Sequence, residues 1–145
     1  MIQTVPFAPE HAARAAALER ICFSAPWSEA ELLASSALPN AIYISAFCDK
    51  EYSGYAGMYT VEDEGEINNI AVFPAFRRRG VGDALVRALC EAGRAAGLRR
   101  LTLEVRASNG AALALYEKNG FYRVGLRRGY YTAPKEDAVL LDKDL

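Results

Sequence analysis

The feature that most restricts this chain is a change of hydrophobic period across one short turn. The run from Glu66 to Phe73 has the composition of a strand. After Pro74 apolar residues recur at Val81, Leu85, Leu89, Ala92 and Ala96, one face of a helix that Gly97 is placed to stop. Between them lies Arg77-Arg78-Arg79-Gly80-Val81-Gly82. Glycines lack a Cβ and tolerate positive φ, so a ligand can approach the backbone there. The unpaired N–H groups of a first helical turn, with the helix dipole, attract an anion, and a phosphate is the obvious guest. The spacing is neither the Walker A pattern nor the dinucleotide fingerprint, because the Lys-Ser/Thr pair and the third glycine are missing. On this motif alone, a solvated basic turn before a surface helix is an equally good reading.

The remaining elements follow from local signals. Residues 2 to 7 suit a short strand. Pro9 opens a helix running to Cys22, with Ala13, Ala17, Leu18, Ile21 and Cys22 at helical spacing. Ser28-Glu29-Ala30-Glu31 matches a capping box flanked by Trp27 and Leu32, so a second helix starts at Ser28 and ends before Pro39-Asn40. Strand-like runs at 41 to 48, 52 to 61 and 66 to 73, with turn residues between them, predict an antiparallel meander. Leu101, Leu103 and Val105 alternate with Thr102, Glu104 and Arg106, giving a strand with one apolar face. Ser108-Asn109 caps a helix reaching Gly120, and strand-like pieces follow at 121 to 126 and 137 to 141. Without repeats or linkers the chain reads as a single domain, residues 1–145, of α+β or mixed α/β class.

Composition narrows the function without naming it. The 145 residues can bury roughly two thirds of the surface exposed when unfolded. A charged fraction of 24% with a formal net charge of -1 gives no broad basic face for nucleic acid. No apolar run spans a membrane, and no secretory signal opens the chain, so the default location is cytoplasmic. Cys22, Cys48 and Cys90 lie far apart without metal-ligand spacing. They read as reduced packing residues, the lesser alternative being that one lines a substrate groove.

Two further groups carry chemistry. Glu104 is on the polar face of its strand, and Tyr116 lies seven residues, about two helical turns, beyond Asn109. Seen singly they are an exposed carboxylate and a half-buried aromatic. No Cys or Ser has a basic neighbour in the manner of an activated nucleophile, and the sole histidine, His11, is assigned a surface position.

With these residues on the page, the chain resembles the GCN5-related N-acetyltransferase (GNAT) superfamily and, within it, the RimI-type acetyltransferases of ribosomal-protein alanine. The resemblance rests on Pro26-Trp27-Ser28-Glu29, Asn69-Ile70-Ala71-Val72, Arg77-x-x-Gly80-x-Gly82, Leu103-Glu104-Val105-Arg106-Ala107-Ser108-Asn109, Ala114-Leu115-Tyr116-Glu117, Gly120-Phe121 and Arg127-Arg128-Gly129-Tyr130-Tyr131. It covers nearly the whole chain. It implies a bent mixed sheet that splays around acetyl-CoA. The backbone of Ile70, Ala71 and Val72 would pair with the pantetheine arm. The pyrophosphate would rest on the turn that begins at Arg77, on N–H groups of Arg78, Arg79, Gly80, Val81, Gly82 and Asp83. Asn109 would bind the cofactor near its thiol, Glu104 would be the general base, and Tyr116 the acid; no metal is implied.

The implied substrate is a protein N-terminus, that of ribosomal protein bS18 first, with no nucleic-acid or membrane partner. A GNAT enzyme acting on a small amine or a lysine, and a non-catalytic acyl-CoA-binding module, are the alternatives. Three departures from the family pattern stand out: Asp83 puts a carboxylate into the phosphate turn, where repulsion is expected; Gly110 follows Asn109; and the segment from Tyr131 to Glu136 is short.

Overall fold

The computed structural model describes all of residues 1–145. Its elements in order are β1 (Ile2–Pro6), α1 (Ala12–Cys22), α2 (Glu29–Ser36), β2 (Ala41–Cys48), β3 (Glu51–Val61), β4 (Glu64–Val72), α3 (Val81–Ala95), β5 (Arg100–Arg106), α4 (Gly110–Lys118), β6 (Tyr122–Thr132) and β7 (Lys135–Asp144). They build one seven-stranded sheet in the order β1-β2-β3-β4-β5-β7-β6. The meander β1 to β4 is antiparallel as expected, β4 and β5 are parallel, and β7 lies antiparallel between β5 and β6.

Helices cover both faces. On one, α3 sets Val81, Leu85, Val86 and Leu89 against Ala56, Met58, Leu101, Leu103 and Val105. On the other, Ala15, Ala16 and Leu18 of α1 and Leu32 of α2 pack on Tyr43, Tyr52, Tyr55 and Ala71. Residues Tyr52 to Met58 of β3 are therefore buried on both sides, as a central strand requires. The Ser28 cap forms as its sequence dictates: Ser28 Oγ accepts from the Glu31 amide at 3.1 Å, and Glu31 Oε1 accepts from the Ser28 amide at 3.0 Å.

Three expectations are corrected. Residues Pro9–His11 form a separate 3₁₀ turn, and His11 is not on the surface but buried. The Ala8 amide donates to its Nδ1 at 3.0 Å, and Ser45 Oγ lies 2.9 Å from the same atom. Burial first, and then Arg14, hold the imidazole below its ordinary pKa. The apolar face of α3 fades at its end, where Ala96 is exposed and Gly93 is buried instead. The last hairpin is much longer than the pieces at 121 to 126 and 137 to 141. β6 is an exposed edge with bulges between Arg123 and Gly125 and between Arg127 and Tyr131, which erase the alternation that marks a strand.

Candidate active site

The sheet opens at its centre. β4 and β5 pair only from Glu64 and Arg100 to Ile67 and Leu103, and then part. A bulge at Asn68, opposite the step from Gly57 to Met58, accompanies the parting and shifts the alternation of β4 by one residue. Before it, Ile67 packs towards α3; after it, Ile70 and Val72 do so, while Ala71 packs towards α1. A cavity of about 600 Å³ occupies the opening, with Asn69, Ile70, Glu104, Asn109 and Tyr116 in its wall. Ile70, Ala71 and Val72 thus form an unpaired edge, the one that the family resemblance implies for a pantetheine arm. The Val72 carbonyl accepts a hydrogen bond from Arg77 Nε at 3.3 Å.

At the end of that edge the turn leaves a row of amides free, which could hold an anion. Arg78 and Gly80 adopt left-handed φ of 62° and 89°. Gly80 is the N-cap of α3, and the first helical hydrogen bond is donated by the Ala84 amide to Gly80 O at 3.0 Å. The amides of Arg78, Arg79, Gly80, Val81, Gly82 and Asp83 have no acceptor within the protein. The two glycines differ in role. Gly80 is set by its dihedral, whereas a Cβ on Gly82 would meet Leu115 Cδ2 at 3.2 Å, so Gly82 allows α3 and α4 to approach.

Asp83 does not oppose this cradle as its charge led us to expect. Its Oδ1 accepts from Asn119 Nδ2 at 3.0 Å and lies 3.7 Å from Lys118 Nζ, and its Oδ2 is 2.7 Å from Arg87 Nη2. The Asn119 hydrogen bond foremost, then the two cations, hold the carboxyl below the usual range. Gly110 leaves the start of α4 intact, because Asn109 Oδ1 caps the Ala112 amide at 3.2 Å.

Glu104 and Tyr116 meet the same cavity from opposite sides of the opening. Leu103 and Val105 point into the α3 core, so the intervening Glu104 faces the α1 side, 3.5 Å from Arg127 Nε. The Tyr130 hydroxyl is held above its ordinary pKa chiefly by hydrogen bonding to Glu104. The bulge of β6 is what brings Arg127 and Tyr130 to the carboxylate. Tyr116 is 3% exposed, and burial alone pushes its phenol upward. The short segment after Tyr131 is pinned: Arg106 donates from Nη1 to Pro134 O at 3.0 Å and from Nη2 to Ala133 O at 3.3 Å, and stacks 4.2 Å above Tyr131.

Some of the wall was not read from the sequence. Glu19 is 1% exposed, accepting from the Trp27 amide at 2.9 Å and from the Tyr55 hydroxyl at 2.6 Å. Its signal is positional, since a carboxylate three and four residues beyond Ala16 and Ala15 lies on the apolar stripe of α1. Of the cysteines, Cys48 and Cys90 are buried, but half-buried Cys22 lines the cavity, with Arg77 Nη2 at 3.4 Å from its Sγ. No three His, Cys, Asp or Glu side chains gather into a metal-binding group.

The splayed mixed sheet, with its amide-rich turn at the head of α3, is matched by the sequence: the chain belongs to the Acetyltransferase (GNAT) family, whose model matches residues 12–121. It is an acetyltransferase. The chain is 37% identical over 126 residues, 86% of its length and 84% of the relative's, to the ribosomal protein bS18-alanine N-acetyltransferase of Escherichia coli. It is 40% identical over 123 residues, 82% of its length and 76% of the relative's, to the N-alpha-acetyltransferase RimI of Mycobacterium tuberculosis. The crystal structure of the Escherichia coli ribosomal-protein-S18-alanine N-acetyltransferase superposes with a TM-score of 0.89 at 34% identity, covering 99% of this chain and 94% of that one.

Proposed function

We propose that the enzyme transfers the acetyl group of acetyl-CoA directly to the α-amine of a protein N-terminus, that of ribosomal protein bS18. One observation carries the reading: the cavity that parts β4 from β5 has a carboxylate and a buried phenol in its wall, and the unpaired edge of β4 runs on from it to the free amides that precede α3. The whole chain, residues 1–145, acts as one catalytic domain. Its three unpaired cysteines suit the reducing cytoplasm, where ribosomal proteins are made.

The residues fit acetyl-CoA. The amides of Arg78 to Asp83 and the positive end of α3 suit a pyrophosphate, the free edge of Ile70, Ala71 and Val72 suits an amide-bearing arm, and Asn109 lies near the reactive end. Bound there, the cofactor supplies a thioester. Arg77 must release Val72 O before that edge is free.

Glu104 takes a proton from the α-ammonium, directly or through water, and the freed nitrogen attacks the thioester carbonyl. As the C–N bond forms and the C–S bond breaks, Tyr116 donates its proton to the departing sulfur, and the second proton lost by the nitrogen passes through water to the Tyr116 oxygen. A phenol is protonated at neutral pH and burial raises its pKa further, while the same dry surroundings raise the proton affinity of a thiolate leaving beside it. At pH 7 deprotonating an α-amine costs about 1 kcal/mol, against about 4.6 for a lysine, so one carboxylate suffices for the first.

Acetyl-CoA with a hexapeptide beginning Ala-Arg is expected to release free CoA thiol. The same peptide blocked at its α-amine but carrying a lysine is expected to release none. Equal release from the two would move the substrate to side-chain amines, the competing reading within the family.

A further inference from the structure

Behind the catalytic carboxylate, a buried relay sets the direction of one amide. Glu19, Tyr55 and Asn69 are 1%, 0% and 8% exposed, and they come from α1, β3 and β4. Glu19 as a carboxylate only accepts, and it takes the single proton of the Tyr55 hydroxyl at 2.6 Å. The Tyr55 oxygen can therefore only accept from Asn69, whose Nδ2 donates to it at 3.0 Å. This leaves no freedom to exchange the ends of the Asn69 amide. Its Oδ1 is turned away from Tyr55 and is the one buried side-chain polar atom of the molecule without a partner.

A buried carbonyl without a donor loses its hydration and receives nothing in return, so its presence calls for an explanation. Asn69 lines the cavity. The bulge at Asn68 puts it on the face shared with Ala71 and Glu104, opposite the face on which Ile70 and Val72 pack towards α3. Asn69 therefore belongs to the same face of the opening as the catalytic carboxylate.

We propose that Asn69 Oδ1 accepts an N–H of the incoming α-amino group, held for that purpose by Tyr55 and Glu19. The inference rests on the N-terminal acetyltransferase reading above. With one N–H bound by Asn69 and another given up to Glu104, the lone pair is directed by two fixed groups. Once Glu104 has taken one proton of the α-ammonium, a primary amine keeps two hydrogens, one bound by Asn69 and one released as the amide forms, whereas an N-methylated amine keeps one and must give up its bond to Asn69 to become an amide. The site thus selects primary α-amines and disfavours an N-methylated terminus.

Two peptides test this, one beginning with alanine and one with N-methylalanine, on the wild type and on Asn69→Leu. A second variant, Asn69→Ala, guards against misfolding of the first, and thermal unfolding of all three proteins verifies that they are folded. The wild type is expected to prefer the alanine peptide by about tenfold or more in kcat/KM, the order of one hydrogen bond to a charged group. Either variant is expected to lose about tenfold or more on the alanine peptide, mainly through KM. Its preference over N-methylalanine should shrink to within about threefold, a coupling that a purely structural role would not produce. A wild type without the preference, or a variant that retains it, overturns the assignment of Asn69 alone. A wild type that acetylates neither peptide removes the functional reading and this inference with it.

Discussion

Asp83 shows how a residue's charge misleads when its partners are unknown. Its carboxylate is met by Asn119, Arg87 and Lys118, so its amide remains available to the anion cradle while its charge is spent on α4 and on its own helix. Asp83→Asn keeps that amide, and cofactor affinity should stay within about threefold. Stability should fall by about 1 kcal/mol at pH 7. The folded-state pKa lies below the ordinary 3.8, so this contribution is complete above that value and is lost as the pH falls through the lowered one. Unfolding curves of the two proteins should accordingly differ at pH 7 and converge in acid. Glu104→Gln and Tyr116→Phe are expected to lose about 10² to 10⁴ in kcat while retaining acetyl-CoA affinity. Unchanged turnover in either would remove that residue from the mechanism. The placement of Glu104 on a polar strand face was legible because it alternates with Leu103 and Val105, whereas its proposed role came from the family resemblance alone. Asn69 and Glu19 were not legible, because the hydrogen bonds that join them through Tyr55 exist only where α1 crosses β3 and β4.

At the scale of elements, the turn and α3 follow from local chemistry, and the β6–β7 hairpin does not. The switch of period at Pro74, the left-handed Gly80 and the stop at Gly97 are encoded within the segment they shape. β6 is shaped by pairing with β7 alone, and its two bulges hide its length, although they bring Arg127 and Tyr130 to Glu104. The tip of that hairpin is held by Arg106, a β5 residue, through the carbonyls of Ala133 and Pro134 and the ring of Tyr131. Arg106→Ala is expected to loosen this wall of the cavity. Steady-state kinetics should then show KM for the peptide rising about tenfold, the order of one charge-assisted hydrogen bond, with KM for acetyl-CoA changing much less. Equal changes in both would mean that the clamp supports the cofactor instead.

The molecule as a whole is a sheet that is continuous along one end and parted along the other. Antiparallel pairing from β5 through β7 to β6 keeps the second half attached, so the parallel β4–β5 ladder can end after Ile67 and Leu103 without separating the halves. α3 and α4 close one face of the opening, and α1 with the loop before α2 approaches it from the other. We propose that this arrangement takes the cofactor from the α3 side and the amine from the Glu104 side, as direct transfer to an α-amine requires. Mass spectrometry tests this most directly. Acetyl-CoA is supplied to an equimolar pool of peptides, some with a free N-terminal alanine and some blocked there but bearing lysine, and the acetylated nitrogen is located by fragmentation. Acetyl groups confined to free α-amines, with the peptide beginning Ala-Arg consumed first, are the predicted result; acetylated lysines in the blocked peptides, at comparable yield, would contradict it.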